Sequence, residues 1–352
     1  MMKQFNPILI RPLSIVERNE SIVLDNVPGI RNSVQRMQDA KNLPDIMPLI
    51  GDIWQTGELH LHFADTGVGK STLAVAESDK ISKGENFLFL NNHNNPMTVL
   101  YYDFELSDRQ FRKRYTDDFG NEYPFSERFY IDSIDFPELL KANPDKSFED
   151  VLFAKIRHDI DKVNPQILVF DNITYLSMQT TQKTDVALET MRRLIDLKKE
   201  KSLSILVLAH TPKIDLTGPL TINSLAGSKH LSNFADSVSA IGKSSQGSSI
   251  RYIKQIKPSR NGEMIYDIEN VITCELVKKG SMLTFEFIDF NTEYEHLKQR
   301  DNTEQRNEKI EIAKELHTSG KRYDEIALEL LGSKSLKGTI YKWLNPKNQN
   351  PV

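Results

Sequence analysis

The run Ala64-Asp65-Thr66-Gly67-Val68-Gly69-Lys70-Ser71 has the residue types and spacing needed to hold a polyphosphate. It follows the pattern G-x-x-x-x-G-K-[ST], with Ala64 in place of the first glycine. Gly67 and Gly69 allow a tight turn that aims successive backbone N–H groups at an anion. The Lys70 ammonium reaches the β- and γ-phosphates, and the Ser71 hydroxyl is a ligand for Mg²⁺. Ala64 fits provided that its φ stays negative. Leu59 to Phe63 reads as a strand entering the loop. Ser71 and Thr72 open a helix leaving it, whose N-terminal dipole favours anions. A glycine-rich turn without a ligand has no use for Lys-Ser at its end.

Other polar residues punctuate the ends of apolar strands. Asp171 closes Ile167 to Phe170, the pattern of a carboxylate that holds Mg²⁺ beside Ser71. Glu105 lies just past the strand Val99 to Phe104, at the carboxyl edge where ligands of a parallel sheet bind. A carboxylate there can deprotonate an attacking water. Two alternatives stand beside it: Asp103 as the base, and Glu105 as a charge balancing the dipole of a helix capped by Ser107. His210 ends the strand Ser204 to Ala209, either to feel the γ-phosphate or to bond a neighbouring turn. Lys257 and Arg260 lie in Gln255 to Gly262, as phosphate ligands from a neighbouring subunit or as a solvated hairpin tip. His60 and His62 share one face of a strand, but no third metal ligand is apparent.

These residues need a scaffold of strands alternating with helices. Phe148 to Val163 is an amphipathic helix, with Val151, Leu152, Ile156 and Ile160 at helical spacing. Asp185 to Glu200 is another. Continuous apolar strands between such helices predict a parallel sheet covered on both faces. After Ala235 the pattern turns mostly to strands, with a hairpin at Lys279-Gly280. Residues 1–45 read as an N-terminal arm holding one short helix, Ser33 to Lys41. Residues 46–290 form the main domain, 291–306 a polar linker, and 307–346 a small helical domain.

Composition narrows the function. The chain has 352 residues, 39% of them hydrophobic, and a formal net charge of −4, so its surface as a whole is no nucleic-acid magnet. One cysteine, Cys274, excludes a disulfide framework and suits a reducing cytosol. No apolar run approaches a membrane span, and Ile8-Leu9-Ile10 is too short for a signal peptide. The expectation is a cytoplasmic protein with no membrane partner. The C-terminal residues carry Lys334, Lys337, Lys342 and Lys347 with no acid after Gly332. Ser333, Ser335 and Thr339 can bond phosphates. DNA binding through Lys334, Ser335, Lys337, Thr339 and Lys342 is one reading, and an oligomerisation or docking unit is the other.

The order P-loop, strand-Glu-Leu-Ser, strand-Asp-Asn, strand-Ala-His-Thr and Lys-x-x-Arg-Asn-Gly resembles the RecA-like ATPases of replicative helicases, the plasmid RepA-type and DnaB-type group. The resemblance covers about Leu49 to Phe290. It implies an α/β, RecA-like P-loop NTPase with a mostly parallel sheet, acting on ATP with Mg²⁺. Ala64 to Thr72 (through Asp65, Thr66, Gly67, Val68, Gly69, Lys70 and Ser71) would bind nucleotide, and Ser71 and Asp171 the metal. Glu105 would be the catalytic base, acting with Lys70 and with His210 at the γ-phosphate, and Lys257 and Arg260 would act in trans. The family's spacing has one residue between Lys and Arg; here Pro258 and Ser259 intervene. Such proteins form rings, usually hexamers, with single-stranded DNA in the channel. Loops Ile173 to Thr184 and Thr211 to Ser224 would face it, offering Gln179, Gln182, Lys183 and Lys213, without stacked aromatics. Tyr323 to Leu344 resembles the helix-turn-helix domains of resolvases and transposase-like proteins, whose last helix enters the major groove of duplex DNA. The resemblance implies a helicase of plasmid or mobile-element replication or mobilisation. An ATP-switched DNA-binding regulator or loader stands as the alternative.

Overall fold

The computed structural model describes residues 29–134, 136–173, 185–211, 216–225, 229–260, 262–298 and 303–345. Gln179, Gln182, Lys183, Lys213, Asn261 and Lys347 lie outside them. Residues 1–45 and 46–352 are separate units. Of the first, helix α1 (Ser33–Ala40) is described; its N-cap Asn32 accepts from the Gln35 N–H at 2.8 Å.

The second unit is built on strands β1 (Pro48–Ile50), β2 (Trp54–Gln55), β3 (Leu59–Ala64), β4 (Val99–Asp103), β5 (Phe129–Asp132), β6 (Ile167–Asp171), β7 (Ser204–His210), β8 (Ser237–Lys243), β9 (Ile250–Lys257), β10 (Val271–Lys279) and β11 (Met282–Asn291). Its helices are α2 (Lys70–Lys83), α3 (Asp108–Arg114), α4 (Phe136–Lys141), α5 (Phe148–Val163), α6 (Asp185–Lys201), α7 (Lys229–Phe234), α8 (Glu293–His296), α9 (Thr303–Thr318), α10 (Tyr323–Leu331) and α11 (Lys337–Leu344).

Nine strands form one sheet in the order β11-β10-β9-β8-β3-β7-β6-β4-β5. The run from β8 to β5 is parallel, and β9, β10 and β11 extend it antiparallel. This is the mostly parallel α/β sheet that the alternation of strands and helices predicts. The P-loop strand β3 sits between β8 and β7, so its carboxyl end opens beside the ends of β7, β6 and β4.

Alternation along β3 divides the core. Leu59, Leu61 and Phe63 face a cluster with Leu152 and Ile156 of α5 and Leu194 and Leu197 of α6. Ala64 joins Leu73, Ala74 and Val75 of α2 on the opposite face. Burying one Leu or Phe fully contributes about 1.5–3 kcal/mol, so these two clusters clamp β3 from both sides. Helix α5 starts where Ser147 accepts from the Asp150 N–H at 3.1 Å, with Glu149 and Asp150 in its positive first turn. Position 242 must be glycine, because a Cβ there would lie 2.0 Å from the Tyr252 ring.

Two boundaries differ from the sequence reading. The first part of the expected 291–306 linker is a folded clasp. Glu293 on α8 is fully buried, and accepts from Lys254 at 2.5 Å and from the Leu220 N–H at 2.7 Å. His296, also buried, bonds Thr273 and Ser244, each at 2.9 Å. Polar composition misleads here because these polar groups are satisfied by the neighbouring strands. The C-terminal unit begins at Thr303 instead of Asn307. It has its own small core of Ala313, Ile326, Ala327 and Ile340, with Trp343 and Leu344 against it.

Candidate nucleotide site

The P-loop joins β3 to α2. Gly67 has φ +74° and Gly69 φ +110°, conformations that residues with a Cβ resist. Ala64 is the buried last residue of β3 and has no positive φ, so the alanine fits. The Asp65 side chain accepts from the Thr66 N–H at 2.7 Å. The first turn of α2 leaves the N–H groups of Lys70, Ser71 and Thr72 without intrahelical acceptors. Behind the loop, the Val68 carbonyl accepts from Arg251 Nε at 2.6 Å. Arg251 also donates to the Ser248 and Ile250 carbonyls, at 2.9 and 2.8 Å. This brace crosses 183 positions, and no local sequence signal points to it.

Lys70 and Asp171 meet across the loop, Nζ to Oδ1 at 3.5 Å, both buried. Neither of those atoms has a hydrogen-bond partner among the described residues. The other oxygen, Asp171 Oδ2, accepts from the Tyr101 hydroxyl at 2.7 Å. An unbonded buried ammonium facing an unbonded carboxylate oxygen is costly alone. It fits a site that a phosphate and a divalent cation complete, with Ser71 as the adjoining hydroxyl.

Glu105 stands on the neighbouring strand end. The Asp103 carboxylate accepts from the N–H groups of Glu105 and Leu106, both at 2.9 Å, and so shapes the turn that presents Glu105. Burial pushes the Asp103 carboxyl up, against those two bonds. Asp103 is buried, whereas the Glu105 side chain is 39% exposed. Of the two carboxylates weighed as a base, Glu105 is the accessible one. Its Oε1 accepts from Asn172 Nδ2 and meets His210 Nε2 at 3.2 Å. The bond to His210 is the chief cause that holds its carboxyl below the usual range. Partial burial opposes it, and the Lys70 charge and Asn172 assist. On α3, Gln110 Oε1 accepts from the Ser107 N–H at 2.9 Å, so this helix start is satisfied without Glu105.

The structure therefore brings Lys70, Ser71, Asp171, Glu105 and His210 to one sheet edge. It does not bring Lys257 and Arg260 there. Antiparallel β9 pairs Lys257 with Val238, near the start of β8, at the opposite end of the parallel strands. A strand of this length separates the two ends by about 15 Å. Lys257 Nζ donates to the Ala235 carbonyl at 2.6 Å, and Arg260 Nε pairs with Asp236 at 2.5 Å. Asn172, Tyr101 and Arg251 escape sequence reasoning. Only Asn172, directly after Asp171, carries a positional hint.

His60 and His62 are buried and bonded to Ser237, Ser239 and Glu77. No cluster of three or more His, Cys, Asp or Glu residues that could hold a metal ion occurs among the described residues. Lys334, Ser335, Lys337 and Lys342 are exposed and Thr339 is half-buried. Lys334, Ser335 and Lys337 line an open groove with Lys321 and Arg322. No helix among the described residues is long and apolar enough to cross a membrane.

A P-loop between strand and helix, in a sheet whose neighbouring strand ends carry Asp171, Glu105 and His210, defines a P-loop nucleotide-binding protein. The sequence profile of the AAA domain family matches residues 30–215, more than half of the chain. The chain belongs to the AAA domain family and is an AAA-type P-loop ATPase. No curated protein sequence matches it. Among solved structures it is similar to the KaiC-like protein from the hyperthermophilic archaeon Pyrococcus horikoshii OT3, at 14% identity and a TM-score of 0.45, covering 67% of this chain and 91% of that one.

Proposed function

We propose that the chain is a ring-forming, DNA-associated ATPase, a helicase of plasmid or mobile-element replication or mobilisation. The observation that carries the reading is the division of the site. Lys70, Ser71, Asp171, Glu105 and His210 share one sheet edge, while Arg260 and Lys257 lie at the other, away from this chain's own phosphate site, as residues that act on a neighbour's nucleotide would.

Lys70 and the P-loop N–H groups bind the phosphates of ATP. Ser71 and Asp171 hold Mg²⁺, which when bound neutralises phosphate charge. Glu105 accepts the proton of the attacking water; Asn172 and His210 fix its carboxylate and keep it ionised. Arg260 of one subunit stabilises the charge developing on the γ-phosphoryl group of the next. When it leaves Asp236 Oδ1, the carboxylate keeps two donors on Oδ2, Lys198 and the Leu59 N–H.

His210→Ala removes the main influence that lowers the Glu105 carboxyl. The acid limb of the kcat profile is expected to move to higher pH. A pH–rate series checks this, and an unmoved limb removes His210 from the tuning of the base.

The C-terminal unit gives the DNA reading its second support, a basic groove on a self-contained helical core. Removing residues 303–352 should keep ATP turnover and weaken duplex binding about tenfold or more at moderate salt. Unchanged duplex binding would take the DNA role from this unit. Strand displacement on forked DNA tests the motor itself. DNA-stimulated ATPase without displacement would favour the regulator or loader.

A further inference from the structure

Beneath α2 the sheet carries polar residues where a buried strand face calls for apolar ones. His60 and His62 project from β3 on the face that Ala64 shares with α2, and their register partners on β8 are Ser237 and Ser239. All four side chains are buried. Their contacts form a continuous file, in which His60 Nε2 also meets His62 Nδ1 directly at 3.2 Å. Glu77 Oε2 on α2 meets His62 Nε2 at 3.0 Å, and His62 Nδ1 meets Ser239 Oγ. Ser239 Oγ lies 2.9 Å from His60 Nε2, and His60 Nδ1 lies 2.7 Å from Ser237 Oγ. The Ser237 hydroxyl donates to Glu58 Oε2 at 3.0 Å. Glu58 Oε1 then accepts from the Ser259 hydroxyl at 2.5 Å and from the Arg260 N–H at 3.0 Å. The file begins on the helix that carries Lys70 and ends on the turn that carries Arg260.

Apolar side chains at these positions would avoid the desolvation of two carboxylates and two imidazoles, so stability alone does not explain the file. Proton bookkeeping offers a reason. Burial, with the neighbouring His62 assisting, pushes His60 well below the ordinary imidazole range, so its ring is neutral with one proton and two possible nitrogens. With Glu58 ionised, Ser237 donates to it and His60 Nδ1–H donates to Ser237. Ser239 then donates to His60 Nε2, and His62 Nδ1–H donates to Ser239. This polarity requires one further proton between His62 Nε2 and Glu77, whose atoms lie 3.0 Å apart. In the reverse polarity Glu58 is protonated and donates to Ser237, each imidazole carries its proton on Nε2, and Glu77 is ionised. Both arrangements place the same number of protons on Glu58, His60, His62 and Glu77. They differ only in which end of the file bears the negative charge.

We infer that this file is a two-state coupling element through which the P-loop helix governs the Arg260 turn. The inference rests on the reading of Arg260 as acting on a neighbouring subunit. Four donors now face Glu58: Ser237, Ser259, the Arg260 N–H and the Gln55 N–H at 3.3 Å. These four bonds hold the turn. A shift of α2 that strengthens the negative charge on Glu77 reverses the file, neutralises Glu58 and loosens the Arg260 turn. Both ends thus bias one equilibrium, which is the physical requirement for coupling between distant sites.

The test uses the full chain labelled with ¹⁵N-histidine, with His60 assigned by loss of its signals in His60→Gln. Without nucleotide, His60 should be the Nδ1–H tautomer. With Mg²⁺ and a non-hydrolysable ATP analogue, its proton should move to Nε2. Glu77→Gln should bind the analogue within about twofold of the parent but lose about tenfold in kcat, a coupling of ordinary size. A His60 tautomer that ignores the nucleotide overturns the inference even if Glu77→Gln fails to fold, and so does an unchanged kcat in a folded Glu77→Gln chain. Failure of the underlying reading shows separately, as full hydrolysis by Arg260→Ala.

Discussion

Lys70→Ala abolishes ATP turnover, with a loss of at least about 10²–10³ in kcat, the size expected when a preorganised charge facing a transition state is removed. The ammonium is buried, has no hydrogen-bond partner among the described residues, and stands 3.5 Å from Asp171 Oδ1. Such a group is paired with Asp171 at long range but hydrogen-bonded to no described residue, so it has donors to spare for a phosphate. Replacing it leaves Asp171 with Tyr101 as its hydrogen-bond donor at 2.7 Å, and part of that carboxylate buried without a counter-charge. ATP affinity should fall together with turnover. Steady-state hydrolysis and equilibrium nucleotide binding measure the two effects, with thermal unfolding to confirm that the chain folds. Retained turnover would sink the assignment of the P-loop as the hydrolytic site.

Glu105→Gln should separate binding from chemistry. The amide keeps the shape of the side chain and an oxygen for Asn172, so nucleotide binding stays within a few-fold of the parent. Hydrolysis should fall about 10²–10⁴-fold, because the amide cannot take the proton from water. Single-turnover assays with saturating enzyme distinguish this loss from weakened binding. Asp103→Asn is the informative contrast. Its carbonyl oxygen can still accept the Glu105 and Leu106 N–H bonds, so its effect should be only a few-fold. A larger loss in Asp103→Asn than in Glu105→Gln would exchange the roles of the two carboxylates.

Residues that act through their own neighbourhood were readable from sequence, and those that act through the fold were not. The P-loop, the strand ends at Asp171 and His210, and the hairpin at Lys279-Gly280 are local patterns, and the structure places each where its pattern predicts. Arg251 and Tyr101 reach the site only through strand order and register, which no local pattern specifies. The clasp at Glu293 and His296 was misread because a polar composition describes exposed linkers and satisfied buried networks equally well. The alternation of His60 and His62 pointed to a shared face. The serines of β8 and Glu77 that satisfy them lie elsewhere in the chain.

The division of the catalytic set between the two ends of the sheet is the central claim, and subunit mixing tests it most directly. Arg260→Ala and Glu105→Gln should each bind ATP and each fail to hydrolyse it. Mixed in equal amounts and allowed to exchange, they should recover about a quarter of the parent activity, the fraction of interfaces in a randomly mixed ring that join an intact Glu105 to a neighbour's intact Arg260. No recovery from a verified mixed assembly, or full activity of Arg260→Ala alone, would contradict a site shared between subunits.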